Sequence, residues 1–225
     1  MTAAQDLVND PLGFMDENIL VVKWEGDQSN PIDRSHHSVQ LYTLPLTKAR
    51  GYRRNWRHSP LDVYFMAPTG ALLSATAVAD PHPFDVFFCP FHVDSTLGSV
   101  LTNAARLMFT TQMDGCSFGV GSKASTGERL VFHANAQTGN DTSAAMTSAQ
   151  DRALRAAFLS QGTHIHGILG PVDYRPSHKN TEYAATTFGI RNGNNWTFHT
   201  QRFSVEASGN AWVYGWKEVK QFAEL

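Results

Sequence analysis

Cysteine is nearly absent: two residues in 225 cannot build a disulfide framework, so the fold must rest on a hydrophobic core. No stretch approaches the ~20 consecutive apolar residues of a membrane-spanning helix. Neither sign of charge dominates. With Lys and Arg totalling 18 against 20 Asp and Glu, the net charge of −2 gives no global electrostatic attraction to nucleic acid or anionic membrane. Residues 1–18 lack the charged-then-apolar pattern of a secretory signal. The chain therefore reads as cytosolic, or as exported by a route that cuts no signal peptide. There is no internal repeat and no low-complexity tract. His164-Ile165-His166 puts two imidazoles on one strand face, but no cysteine or carboxylate cluster stands beside them, so a metal site is not expected.

What is present is ordinary globular material, 42% hydrophobic and 11% aromatic, enough for one domain over residues 1–225 with 1–18 as a loose lead-in. Strands are expected at Ile19–Trp24, Val39–Leu44 and Val86–Phe91, with a hairpin from Leu61 to Val78 across the Pro68-Thr69-Gly70 turn. The strand at Val86–Phe91 should bury Cys89. A helix is expected from Thr96 to Met108, capped by Ser95, on the spacing of Leu97, Val100, Leu101, Ala104, Ala105 and Met108. A second, from Ala149 to Leu159, has Ser148 and Asp151 in capping-box relation. Further strands at Ile165–Leu169, Glu182–Ile190, Trp196–Val205 and Ala211–Trp216 complete an α+β reading. In it, mixed β-sheets pack as a sandwich with helices on the outside, and the closing tryptophans lie in the core.

The candidate chemistry lies around Cys116. Ser117–Gly121 and Arg129–His133 read as strands flanking a polar loop. A hairpin closed symmetrically about Ala124-Ser125 sets Cys116 directly opposite His133, β-carbons about 5 Å apart on one face. A one-residue slip would throw the histidine to the other face. A thiol beside an imidazole is the minimum cysteine nucleophile. Gly115 lets the backbone turn sharply, and N–H groups at such a turn can hold an oxyanion. The opposing reading is that a free cysteine is a small buried hydrophobe. The other chemistry-bearing stretch, Arg50 to Arg57, interleaves basic and aromatic residues. Arg50, Arg53, Arg54 and Arg57 there suit partner docking or RNA contact.

Met108-Phe109-Thr110, then Gly115-Cys116, Gly121 and Val131-Phe132-His133-Ala134-Asn135-Ala136, resemble the core of the Burkholderia lethal factor-like toxins, in the wider cytotoxic necrotizing factor family. Tyr183–Thr187 and Trp196–Thr200 resemble their C-terminal strands more weakly, and the matched pieces cover about a quarter of the chain. The family consists of cofactor-free glutamine deamidases, so the resemblance implies Cys116 as nucleophile, His133 as base and Thr110 in support. It also implies export into a host cytosol and a host protein as substrate. The family's targets range from Rho-type GTPases to a translation-initiation RNA helicase. One departure stands out: Met113-Asp114-Gly115-Cys116 replaces the family's Ser-Gly-Cys. A carboxylate two residues from the thiol opposes ionisation unless it points away, which is the geometry expected.

The resulting expectation is a monomeric, cysteine-dependent protein glutamine deamidase, with Asn135 as a second positioning residue. A transglutaminase or cysteine protease would use the same acyl-enzyme. The rival class is a non-catalytic RNA- or protein-binding module built on Arg50–Arg57. Thiol reactivity separates the two, because a catalytic Cys116 should alkylate quickly at neutral pH and a core cysteine should not.

Overall fold

Alternation of side chains between two faces, the strand period, governs most of this chain. The computed structural model describes residues 1–45, 47–50, 62–136, 143–175, 182–208 and 211–225, with only the backbone described at 48–50, 143, 182, 211, 216 and 217. Helices α1 (Ala3–Asn9) and α2 (Pro11–Glu17) lead into strands β1 (Asn18–Val22), β2 (Ile32–Asp33), β3 (His36–Thr43), β4 (Thr47–Arg50) and β5 (Asp62–Pro68). Strands β6 (Val78–Ala79), β7 (Phe84–Cys89), β8 (Ser95–Leu101) and β9 (Leu107–Thr110) follow. Then come β10 (Ser117–Lys123), β11 (Arg129–Asn135), α3 (Ser143–Ser160), β12 (Thr163–Leu169) and α4 (Pro171–Tyr174). Strands β13 (Glu182–Asn192), β14 (Asn195–Ser208) and β15 (Ala211–Glu224) close the series.

The strands form two mixed sheets, and the fold is α+β with strand predominating. Sheet A has ten strands in the order β1-β5-β3-β7-β9-β13-β14-β15-β4, with β6 paired to β3. Sheet B has five, in the order β12-β10-β11-β8-β2. One apolar cluster draws Phe87, Met108, Trp196 and Phe198 from sheet A and Phe118, Val120 and Val131 from sheet B. A second sets Val86, Phe88, Phe109 and Phe188 of sheet A against Leu7, Phe14 and Met15 of α1 and α2. A third packs Leu154 and Phe158 of α3 on Leu130, Phe132 and Ala134 of β11. Among the described residues no helix is long and apolar enough to cross a membrane.

Several expectations need correction. The span from Thr96 to Met108 is not a helix; it is β8, a turn and β9. Its apolar spacing fits both periods, and pairing with β11 decides the outcome. A β-carbon at Gly98 would stand 2.6 Å from the Phe132 ring, so only glycine permits this strand contact. The lead-in is not loose. Thr2 caps α1 in a full capping box, Asp10 caps α2, and both helices bury apolar side chains. Pro68-Thr69-Gly70 closes no hairpin, since β6 pairs with β3 instead of β5. Helix α3 begins at Ser143, which leaves Ser148 and Asp151 within the helix instead of at its cap. Trp212 is 52% exposed, not core.

Candidate functional site

The site lies where the chain leaves sheet A after Thr110 and enters sheet B at Ser117. Met113 is fixed midway by a bridge to Ala185 on β13. Period-two alternation decides which side chains meet. On β9, Leu107 and Phe109 face the N-terminal helices, so Thr110 falls on the Met108 face, toward sheet B. On β11, Leu130, Phe132 and Ala134 face α3, which turns Val131 and His133 toward sheet A. Thr110 and His133 meet there: the hydroxyl lies 2.6 Å from His133 Nδ1.

The tautomer follows from proton counting. The single Thr110 hydroxyl proton is donated to the Cys89 carbonyl at 2.9 Å. Nδ1 must then supply the proton of the 2.6 Å contact, so Nε2 carries the lone pair. Nε2 is buried and has no hydrogen-bond partner. Burial lowers the His133 pKa to about 3, so the ring is neutral at physiological pH. A neutral imidazole oriented through Nδ1 can accept a proton at Nε2, and the low pKa makes it a weak acceptor at rest.

Cys116 stands one residue before β10 on the same inter-sheet face, in the cluster with Phe118 and Val120. It is not directly opposite His133, however; Phe118 is. The turn is centred one residue later than the sequence suggests. Lys123 N–H donates to Glu128, and Gly127, at a φ of 68°, takes the left-handed position that closes the loop. Extending this register by one residue sets Cys116 against Asn135, diagonal to His133 on the same face, at roughly 7 Å between β-carbons. The two side chains thus share one face of sheet B, and no hydrogen bond joins the thiol to Nε2.

The Cys116 thiol pKa is pushed up to about 12, first by burial and then by the Asp114 carboxylate. The Asp114 backbone N–H, aimed at the sulfur, and the Arg175 guanidinium pull it down. Asp114 itself is exposed and lines a cleft of about 460 Å³ together with Lys23, Gln112, Arg175 and Tyr183. Phe65, Val205 and Tyr214 give this cleft an apolar surface, and Trp212 joins its lining. Arg175 reaches back over the turn, its Nη1 only 3.2 Å from where a β-carbon on Gly115 would stand.

Two residues that the sequence did not single out hold this turn. Gln150 of α3 donates from Nε2 to the Gly115 carbonyl at 2.9 Å and accepts from the Ser117 hydroxyl at 2.7 Å. Tyr174 of α4 donates to the Cys116 carbonyl at 2.7 Å. Gln150 had a signal: it stands at i, i+4, i+8 spacing with Leu154 and Phe158, a polar side chain on an apolar stripe. Tyr174 had none.

Asn135 is buried at the end of β11, in register with Ser95. Cys89 is fully buried and free, like Cys116. His164 and His166 are exposed on β12, and His166 Nε2 lies 2.8 Å from the Ser122 hydroxyl. Among the described residues no group of three or more His, Cys, Asp or Glu is placed to hold a metal. Arg53, Arg54 and Arg57 lie outside the described residues, and Arg50 contributes only backbone at the end of β4. No protein-family model matches the chain, and no curated protein matches it in sequence.

Proposed function

We propose that the chain is a cysteine-dependent protein glutamine deamidase, with Cys116 as nucleophile, His133 as base and Thr110 orienting the base. The observation that carries this reading is the Thr110–His133 contact, which spends Nδ1 and leaves Nε2 as a vacant, neutral acceptor on the face of the thiol. A core histidine ordinarily satisfies both nitrogens; this one keeps the nitrogen a base needs. The sheets are read as a sandwich with helices on its outer faces, and the site as a device at its seam.

Magnitudes constrain the mechanism. A thiol at about 12 and an imidazole at about 3 put full proton transfer, before the ions attract each other, on the order of 10 kcal/mol uphill in the resting site. The site therefore holds no standing thiolate–imidazolium pair. Deprotonation accompanies attack: Nε2 takes the proton as Sγ bonds to the carboxamide carbon and the carbonyl electron pair moves to oxygen. The imidazolium protonates the departing nitrogen as ammonia, leaving a thioester. Water, deprotonated by the same nitrogen, hydrolyses it to glutamate. Thr110 supplies orientation without a negative charge, so it fixes the ring but offers the imidazolium less support than a carboxylate would.

The substrate is a folded host protein whose glutamine reaches Cys116 past the Asp114–Arg175 edge of the cleft, with the Arg50–Arg57 segment as docking surface. Capture of the thioester by an amine, or its formation from a peptide bond, would make the protein a transglutaminase or a protease. A second reading, a non-catalytic module that binds protein or RNA, draws on one observation: Cys116 is only 3% exposed, as a packing cysteine would be. Mass spectrometry of eukaryotic lysate treated with the protein separates the two. A site-specific Gln-to-Glu change that disappears with Cys116→Ser supports the deamidase; lysate proteins left unmodified by the active chain would reject it.

A further inference from the structure

The turn that carries Cys116 is held by side chains instead of by a strand ladder, and the way it is held sets the direction of one peptide. The Gly115 carbonyl is drawn toward α3 by Gln150 Nε2 at 2.9 Å. Because a trans peptide points its N–H opposite its C=O, the Cys116 N–H is directed away from α3. The Cys116 side chain packs in the cluster between the sheets, while α3 packs on the opposite face of sheet B. The N–H and the sulfur thus emerge on one side. Tyr174 fixes the next peptide, donating to the Cys116 carbonyl at 2.7 Å while its oxygen accepts the Gly115 N–H. Gln150 and Tyr174 are both fully buried, and Gln150 is itself held by the Ser117 hydroxyl at 2.7 Å. Removing either side chain's donor leaves a backbone carbonyl of the turn unpaired and free to rotate.

We infer that Gln150 and Tyr174 are positioning residues that lock the Gly115–Cys116–Ser117 backbone so that the Cys116 N–H serves as an oxyanion donor. This rests on Cys116 being an acyl-transfer nucleophile, as in the proposed function. The Gln150 hydrogen bond keeps that peptide from turning its carbonyl, with its opposing dipole, toward the developing negative charge, and the Tyr174 hydrogen bond fixes the peptide that follows it. Neither residue touches substrate; both act through the backbone between them.

The test separates oxyanion support from general loosening of the site. p-Nitrophenyl acetate acylates a competent thiol: Sγ bonds to the acetyl carbon, the carbonyl pair shifts to oxygen and returns as the C–O bond breaks, p-nitrophenolate leaves, and the thiol proton passes to His133 Nε2. Iodoacetamide alkylates the same sulfur by displacing iodide, with no oxyanion. With Tyr174→Phe and with Gln150→Met, the acylation rate constant is expected to fall about tenfold or more, while KM and the iodoacetamide rate each move less than about twofold. The acetyl group is located by mass spectrometry of the intact protein, and thermal melting confirms that each variant is folded. Should one variant fail to fold, the other carries the test. Equal acylation by variant and parent would overturn the inference while leaving the nucleophile in place. Acylation and alkylation changing together would overturn it too, since that is the mark of a loosened turn. If the parent forms the acetyl-enzyme but changes no protein glutamine, the deamidase reading fails and the positioning roles stand. No acetyl-enzyme in the parent would overturn both.

Discussion

Cys89 and Cys116 are both free and buried, and both are held as thiols by the cost of ionising in a dry layer. Their backbones differ. Cys89 lies within β7, laddered to Thr110 on β9, and its thiol donates to the Leu97 carbonyl at 3.6 Å. Cys116 stands just outside β10, in a glycine turn held by side chains, with a guanidinium close enough to favour its thiolate. A cleft opens two residues before it, at Asp114. Burial alone thus does not tell the two cysteines apart. A turn free of the ladder, a cation and a neighbouring cleft do, and they set the proposed nucleophile off from Cys89.

The sharpest break in that comparison is substitution of each sulfur. Cys116→Ser is expected to reduce deamidation by at least about a thousandfold, with the fold retained, because the hydroxyl is near-isosteric but far harder to ionise. Cys89→Ser should leave turnover within a few-fold and instead cost about 1–3 kcal/mol of stability by burying a hydroxyl. Comparable activity losses in both variants would erase the distinction. Thr110 extends the comparison, since it bonds to the Cys89 carbonyl and to His133, the base proposed for Cys116. Thr110→Val should lower kcat about 10–100-fold, with KM unchanged, by freeing the ring to turn.

How much of this was legible in the sequence depends on what each signal measures. The β10–β11 hairpin was legible because two apolar runs flank a polar loop. Its register was not, because that hangs on which residue takes positive φ, and Gly127 shifts the turn by one. The shift leaves Cys116 and His133 on one face but replaces the direct pairing expected from sequence with a diagonal one. Leu97 to Met108 misled because its spacing suits a helix as well as two short strands, and only the neighbouring β11 decides between them. Tyr174 left no trace, since its partner is a backbone carbonyl 58 positions away.

Acid should act through His133, which Thr110 links to the Cys89 carbonyl. His133 is depressed from 6.5 to about 3, so between those values the unfolded chain binds a proton that the native chain does not. Stability is therefore full above pH 6.5 and falls as pH drops toward 3, by on the order of 4 kcal/mol from this group. His199, lowered to about 4, adds a loss of the same sign. Denaturant melts across that window should show a flatter slope in His133→Leu, and an unchanged slope would contradict the assigned neutral, buried ring. The smallest effect concerns Asp114. Its carboxylate raises the Cys116 pKa, so Asp114→Ser should quicken iodoacetamide labelling of Cys116 a few-fold at fixed pH and leave Cys89 untouched. Labelling of the parent at neutral pH should be slow, against the fast reaction expected from sequence, because the resting thiol is protonated.

The Thr110–His133 hydrogen bond also has a bearing on folding kinetics. Its donor and acceptor belong to different sheets, and 23 positions separate them in the chain. Neither sheet alone fixes the imidazole. The His133 ring acquires its hydrogen bond and orientation only when the two sheets dock, and long-range pairing of this kind is expected to come late in folding. In refolding experiments, catalytic competence should therefore lag behind strand formation and coincide with burial of Trp196. On the proposed reading, a part-folded chain would carry the thiol without an oriented imidazole until the sheets had docked.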